Sequence, residues 1–240
     1  MKTQNLLMTT LLIILLSACN VPAKKSDHTF STAPQGAIVL FDGSDFSKWK
    51  NCDGGAVRWK IVGGLMEVVP DSTWACEKIQ GIYTNQLFRD FQLHLEFKLP
   101  KNENTNSGVY IQKRYELQIN NSFNTEPEPG MGGSIYRQKI PDVRVGKPIG
   151  EWEVYDIIFR AARFDSTDMN KKIENARITV LHNNVVIHNN VIIKAKTGVG
   201  FPESNEPGPI MLQDHLALVH FRNIWIIPNM PVETLPESKH

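Results

Sequence analysis

Apolar and polar positions alternate with a period of two along much of the chain. The pattern is unbroken from 91 to 99, with Phe91, Leu93, Leu95, Phe97 and Leu99 on one face and Gln92, His94, Glu96 and Lys98 on the other. That period marks a half-buried strand of an antiparallel sheet. Similar runs lie at 57–62, 65–69, 108–112, 116–120, 152–161, 177–182, 185–188 and 219–227. Gly63-Gly64 and Asn183-Asn184 separate neighbouring runs and suit the positive φ of tight hairpin turns. No amphipathic helical period stands out, so the pattern predicts an all-β sandwich of two sheets. Two irregular stretches, 121–150 and 197–208, are rich in Gly, Pro, Glu and Asn. Loops of that length in a compact domain often act as lids or rims of sites.

The first eighteen residues depart from this pattern and read as an address. Lys2 is followed by a run that is apolar from Leu6 to Leu16 except at Thr9 and Thr10, then by Leu16-Ser17-Ala18-Cys19. The run suits a signal h-region better than a membrane span, and its end is a lipobox whose Cys19 would carry lipid. Asn20 is not the aspartate of an inner-membrane retention signal, so the expected location is the outer membrane, facing the periplasm or the cell surface. The expected organisation is a signal peptide at 1–18, a lipidated tether at 19–36, one β-sandwich at 37–230 and a tail at 231–240.

Charge and cysteine content narrow the classes further. The chain has 26 Lys and Arg against 25 Asp and Glu, without a basic run, which argues against nucleic acid as a partner. With Cys19 assigned to lipid, Cys52 and Cys76 remain for a disulfide in an oxidising compartment. Gly-x-Ser-x-Gly does not occur, and the Gly-Met-Gly-Gly stretch at 130–133 lacks the helix and Lys-Ser/Thr pair of a phosphate loop.

Several short motifs occur in a specific order. They are Phe41-Asp42-Gly43 before Trp49, Asn106-Ser107-Gly108-Val109-Tyr110, Tyr115-Glu116-Leu117-Gln118-Ile119, and Gly150-Glu151-Trp152. Pro209-Ile210-Met211-Leu212-Gln213-Asp214-His215 and Phe221-Arg222-Asn223-Ile224-Trp225 complete the set. In this order the chain resembles the 3-keto-disaccharide hydrolase domain family over roughly 37–228. The resemblance implies a concanavalin A-like jelly roll of two curved antiparallel sheets, with a sugar site on the concave sheet. It also implies activity on glycosides already oxidised at C3 of the sugar ring. The ketone acidifies the C2 proton, so a base can remove it and the C1 oxygen can leave by elimination.

Alternation nominates the residues for that chemistry. Glu116 and Gln118 share a face opposite Tyr115, Leu117 and Ile119, and Gln213 and His215 share a face opposite Leu212 and Asp214. His215 is the leading candidate base because imidazole titrates near neutrality. Glu116 is an alternative base or metal ligand, or a partner of Arg222. Arg222 would stabilise the enolate or hold Glu116. Gln118, Gln213, Tyr110 and Tyr136 are candidate sugar contacts, and Asp214 is a candidate contact or a brace for a loop or histidine. The pattern fixes no cofactor, and Glu116, Gln213, Asp214 and His215 could offer ligands to a divalent metal ion. Two rival readings use the same fold. A carbohydrate-binding lipoprotein would hold a glycan without cleaving it. A laminarinase-like glycosidase would need a second carboxylate where this strand has Gln118.

Overall fold

The computed structural model describes residues 32–73, 76–100 and 105–229. Cys19 and the signal and tail segments lie outside these residues. The protein is a jelly-roll sandwich of two antiparallel sheets. The larger has eight strands. Along its main path run β13 (Val185–Ile193), β12 (Ala176–His182), β9 (Trp152–Arg160), β6 (Phe91–Lys98), β15 (His220–Pro228), β4 (Leu65–Glu67) and β3 (Lys60–Val62), with β1 (Ile38–Phe41) also paired to β15. The smaller has the order β2 (Trp49–Asn51), β5 (Gly81–Thr84), β14 (Ile210–Gln213), β7 (Ser107–Ile111) and β8 (Tyr115–Ile119). A separate short pair joins β10 (Arg163–Phe164) to β11 (Lys172–Glu174).

The period-two pattern explains the core. Phe91, Leu93, Leu95 and Phe97 point into it from β6, and Tyr155, Ile157 and Phe159 from β9. Val109, Ile111, Tyr115, Leu117, Ile119, Ile210 and Leu212 meet them from the smaller sheet. The Tyr115 and Phe159 rings lie 5.6 Å apart, joining the two layers. The Tyr155 hydroxyl crosses the core and donates to the carbonyl of Gln118 at 2.8 Å. This bond satisfies a fully buried phenol that would otherwise carry an unmet polar cost.

The expected hairpins close on residues that accept positive φ. Gly63 and Gly64 have φ of 57° and 76°, and Asn183 and Asn184 have 52° and 65°, as the twist-matched two-residue turn requires. Strand β5 was not evident from alternation. It is only four residues long and opens on Gly81, which has φ of 135° and where a Cβ would lie 2.0 Å from the Leu212 carbonyl oxygen. On β15 the alternation breaks after Arg222, where the register shifts and Asn223 takes φ of 47°.

Cys52 and Cys76 form a disulfide with their Cα atoms 5.9 Å apart, across a sequence separation of 24. Cys52 follows β2, and its N–H donates to the Gly81 carbonyl at 2.9 Å, so the bridge fastens the segment before β5 to the edge of the smaller sheet. Closing a loop of this size is worth on the order of 3 kcal/mol by the chain-entropy relation. The Cys52→Ser, Cys76→Ser variant is expected to lose about that much stability in urea titration while keeping its β-sheet circular dichroism. An unchanged midpoint would contradict this role.

Candidate functional site

The face of the smaller sheet turned away from the core carries the site. Because Val109, Leu117 and Leu212 face inward, Gly108, Tyr110, Glu116, Gln118, Met211 and Gln213 face outward. Register then sets their neighbours. Tyr110 pairs with both Glu116 and Met211, and Gly108 pairs with Gln118. Gln213 follows the Leu212–Val109 pair and so reaches Gly108 from the other side.

Gly108 creates the room for this convergence. A Cβ at that position would lie 2.8 Å from Glu116 Oε1 and 3.4 Å from Gln213 Oε1. Both polar side chains therefore lean over bare backbone, a use of strand glycine that permits close approach. Glu116 is 4% exposed, and the Tyr110 hydroxyl donates to its Oε2 at 2.8 Å. Burial pushes the Glu116 carboxyl up to about 7, and the Tyr110 bond only partly opposes it. Gln118 donates through Nε2 to Asn106 Oδ1 at 2.8 Å. Among the described residues, nothing donates to the buried Oε1 of Gln118 or of Gln213. Two acceptors and one carboxyl near neutrality thus surround Gly108.

Both long loops seen in the sequence return to this site. Residues 133–136 run along the edge of β8: Gly133 N–H donates to Gln118 O at 2.9 Å, Gln118 N–H to Ser134 O at 2.9 Å, and Tyr136 N–H to Glu116 O at 3.0 Å. Thr197 accepts the Glu116 N–H on its hydroxyl at 2.7 Å. Gly198, with φ of 41°, lies against Tyr136, and a Cβ there would be 3.1 Å from that ring and 3.8 Å from Glu116 Oε2. Tyr136 and Asn106 are half-buried and Gly198 is exposed, so they form the solvent side of the cluster. Arg114, just before β8, donates to the carbonyls of Pro202 at 3.2 Å and Glu206 at 2.9 Å, which fixes the second loop.

The structure thus brings Glu116, Gln118, Gln213, Tyr110 and Tyr136 together. It does not bring Arg222 to them. Arg222 lies on β15 in the larger sheet, where Nε donates to Glu96 Oε2 at 2.6 Å and the guanidinium stacks 3.9 Å from the Trp152 ring centre. The expected Glu116–Arg222 pair is therefore replaced by Glu96–Arg222, because the two strands belong to different layers. Asp214 acts as a brace. Its carboxylate accepts N–H groups from Asp71 and Leu216, both at 2.9 Å. β14 ends at Gln213, so the alternation that paired His215 with Gln213 does not extend to His215, which lies half-buried in the following bend beside Asp214.

Among the described residues no group of three or more His, Cys, Asp or Glu side chains is placed to hold a metal ion. Of the four candidate ligands, Asp214 accepts two backbone N–H groups and Glu116 accepts the Tyr110 hydroxyl on Oε2. Sequence reasoning did not single out Gly108, Thr197 and Gly198. The signal for Gly108 was a glycine inside a strand, whereas the other two could not be placed without the path of their loop.

Comparison with known proteins adds a family to this geometry. The 3-keto-alpha-glucoside-1,2-lyase-like domain matches residues 36–227. Three similar crystal structures come from Parabacteroides distasonis ATCC 8503, each described as a putative glycosyl hydrolase. One is 39% identical with a TM-score of 0.70, covering 81% of this chain and 84% of that one. A second is 19% identical with a TM-score of 0.62, covering 80% and 94%. A third is 23% identical with a TM-score of 0.53, covering 79% and 98%. The latter two bear on the fold alone. No curated protein matches.

The raised carboxyl gives stability a predictable pH dependence. Glu116 has an ordinary value of 4.5 and a folded value of about 7. As pH climbs between these values the unfolded chain gives up its proton first, so the folded state loses stability across that window. The loss is on the order of 3 kcal/mol and is fully developed above pH 7. Glu116→Gln removes the titration and keeps an acceptor for Tyr110. Its urea midpoint is expected to exceed that of the wild type at pH 8, with the gap closing toward pH 4.5. A gap independent of pH would exclude Glu116 as the titrating group.

Proposed function

The chain belongs to the 3-keto-alpha-glucoside-1,2-lyase-like domain family, and from that membership we propose that it cleaves glycosides carrying a ketone at C3, with Glu116 as the base. The observation that carries this reading is the Glu116 carboxyl, buried over Gly108 and poised at about 7. A base of that strength exchanges protons near neutral pH in both directions.

In the proposed reaction the Glu116 carboxylate takes the C2 proton, and the C2–H electrons flow toward the C3 ketone as an enolate. Re-forming the ketone makes the C1–C2 double bond and breaks the bond from C1 to the glycosidic oxygen, which leaves and collects a proton. Water can then add across C1–C2, giving net hydrolysis. Tyr110, whose hydroxyl already donates to Glu116, orients the carboxylate so that its other oxygen faces the sugar. The unpaired Oε1 atoms of Gln118 and Gln213 suit sugar hydroxyls, which are donors, and binding would satisfy two buried acceptors at once. Tyr136 would close the solvent side.

The glycosidase alternative is less well supported. Ordinary glycosidases use two carboxyl groups roughly 5–9.5 Å apart. Here burial alone raises Glu116, and no neighbouring carboxylate contributes. A purely binding role would not call for a carboxyl tuned to neutrality.

Release of a chromogenic aglycone from a 3-keto-glucoside tests the proposal. Wild-type kcat/KM is expected to rise with pH through about 7 as Glu116 loses its proton. Glu116→Gln should lower it by about two orders of magnitude or more, the scale of a lost general base, and His215→Ala by less than about tenfold. The reverse ranking would return the base role to His215, and binding without turnover would make the protein a lectin-like binder. For the envelope location, we propose lipid anchoring at Cys19. Cys19→Ser is expected to abolish labelling by radioactive palmitate and to shift the protein from the membrane to the soluble fraction.

A further inference from the structure

Residues 133–142 join an edge strand of each sheet. β8 ends the smaller sheet and β13 ends the larger. Toward β8, Ile135 forms a β-bridge with Leu117. Toward β13, the Asp142 N–H donates to the Ile187 carbonyl at 3.0 Å, and just beyond that strand Gln138 donates to the Ala195 carbonyl at 2.6 Å. Gly133 is gripped from both sides. Its N–H donates to the Gln118 carbonyl at 2.9 Å, and its carbonyl accepts from His188 Nε2 at 2.7 Å. Glycine suits this seat, because its φ is 83° and a Cβ would lie 2.9 Å from Ile187 Cδ1.

His188 is fully buried on β13. A carbonyl can only accept, so Nε2 carries the ring proton, and the buried Nδ1 has no hydrogen-bond partner among the described residues. Burial holds the imidazole down at about 4, while the nearby Lys139 and Asp142 act in opposite directions. The ring is therefore a neutral donor throughout the range in which Glu116 titrates. Gly133 leads directly to the cover of that carboxyl. Three residues on, the Tyr136 N–H holds the Glu116 carbonyl at 3.0 Å, and the Tyr136 ring packs against Gly198 on the solvent side. Among the described residues, burial and the Tyr110 bond are what act on the Glu116 carboxyl. Its proton exchange therefore depends on how firmly the cover sits.

We propose that His188 is a positioning residue for Glu116: its bond to the Gly133 carbonyl clamps residues 133–136 on the edge of β8 and so keeps water from the carboxyl. The part the clamp plays in turnover rests on the reading of Glu116 as the base, whereas its effect on the Glu116 proton does not. An imidazole in the larger sheet thus governs an acid in the smaller one without touching it.

Two measurements on the full-length protein test the clamp without any substrate. Carbon-13 NMR of the glutamate carboxyls follows the Glu116 proton, its resonance identified by its loss in Glu116→Gln. Amide hydrogen exchange follows the covering segment. In His188→Ala the Glu116 midpoint is expected to fall from about 7 by about one pH unit or more, toward the ordinary 4.5. The amides of Gly133, Gln118 and Tyr136 should exchange about tenfold faster, with those of β6 and β9 unchanged. His188→Gln carries an amide nitrogen where Nε2 stands and should restore both, whereas His188→Asn is one bond too short and should not. Should His188→Ala misfold, the contrast between His188→Gln and His188→Asn decides the matter. A wild-type midpoint near 4.5 would overturn the proposal. So would a midpoint unmoved in His188→Ala, one equal in His188→Gln and His188→Asn, or exchange that also quickens throughout β6 and β9. With the 3-keto-glucoside, the rise of kcat/KM with pH should move down by the same amount in His188→Ala. A shifted carboxyl in a protein that cleaves no keto glycoside would remove the cleavage reading and keep the clamp. A kcat/KM profile that stays put while the carboxyl moves would take the base role from Glu116 and keep the clamp.

Discussion

The carboxyl of Glu116, held out of water over the backbone of Gly108, is the constraint around which the smaller sheet is organised. β8 is buried on both faces. Its inner face carries Tyr115, Leu117 and Ile119 into the core, and its outer face carries Glu116 and Gln118 under loops instead of into solvent. A sheet with one wet face would leave such a glutamate at its ordinary value. The additional covering layer is what removes its hydration and brings its proton exchange near neutrality.

That covering depends on backbone bonds more than on apolar packing. The 133–136 segment pairs with the free edge of β8, Thr197 caps the Glu116 N–H, and Tyr155 secures the Gln118 carbonyl from across the core. The strand bearing the carboxyl is thus fixed from its edge and from the opposite sheet. Precise placement of a base is what proton abstraction requires, and here the fold supplies it through elements far apart in sequence.

Alternation made the strand faces legible because side chains obey a period of two wherever a strand stays regular. Glu116, Gln118 and Gln213 were placed correctly for that reason. β14 stops at Gln213, so the period of two no longer fixes the side on which His215 lies, and a strand end leaves no mark in the pattern when polar residues follow it. Arg222 was misplaced because periodicity reports the face of a strand but not the sheet to which it belongs. A bulge at Asn223 then breaks the alternation itself. β5 escaped notice because it is only four residues long and opens on Gly81, although that glycine is what permits the close approach to Leu212.

Two glutamates, one in each layer, show how partners and not burial alone decide chemical character. Burial tends to raise Glu96 as it does Glu116, but bonds from His94, Asn223 and Arg222 hold Glu96 down at about 2. His94 in turn contacts Asp156 at 2.6 Å, and Arg222 rests on Trp152. The outer face of the larger sheet is therefore a network in which opposite charges sit side by side, and its carboxylate is held far below neutrality. On the smaller sheet the ammonium groups of Lys50 and Lys113 lie over the Tyr83 ring, and Met211 and Tyr110 separate them from Glu116 along one row of paired residues. Leaving opposite charges apart forgoes the stabilisation of pairing. Met211 and Tyr110, buried with Ile79 and flanked by Tyr83 and Phe201, fill the space between with apolar packing. The carboxyl therefore meets a phenol instead of a cation, and burial keeps it at about 7.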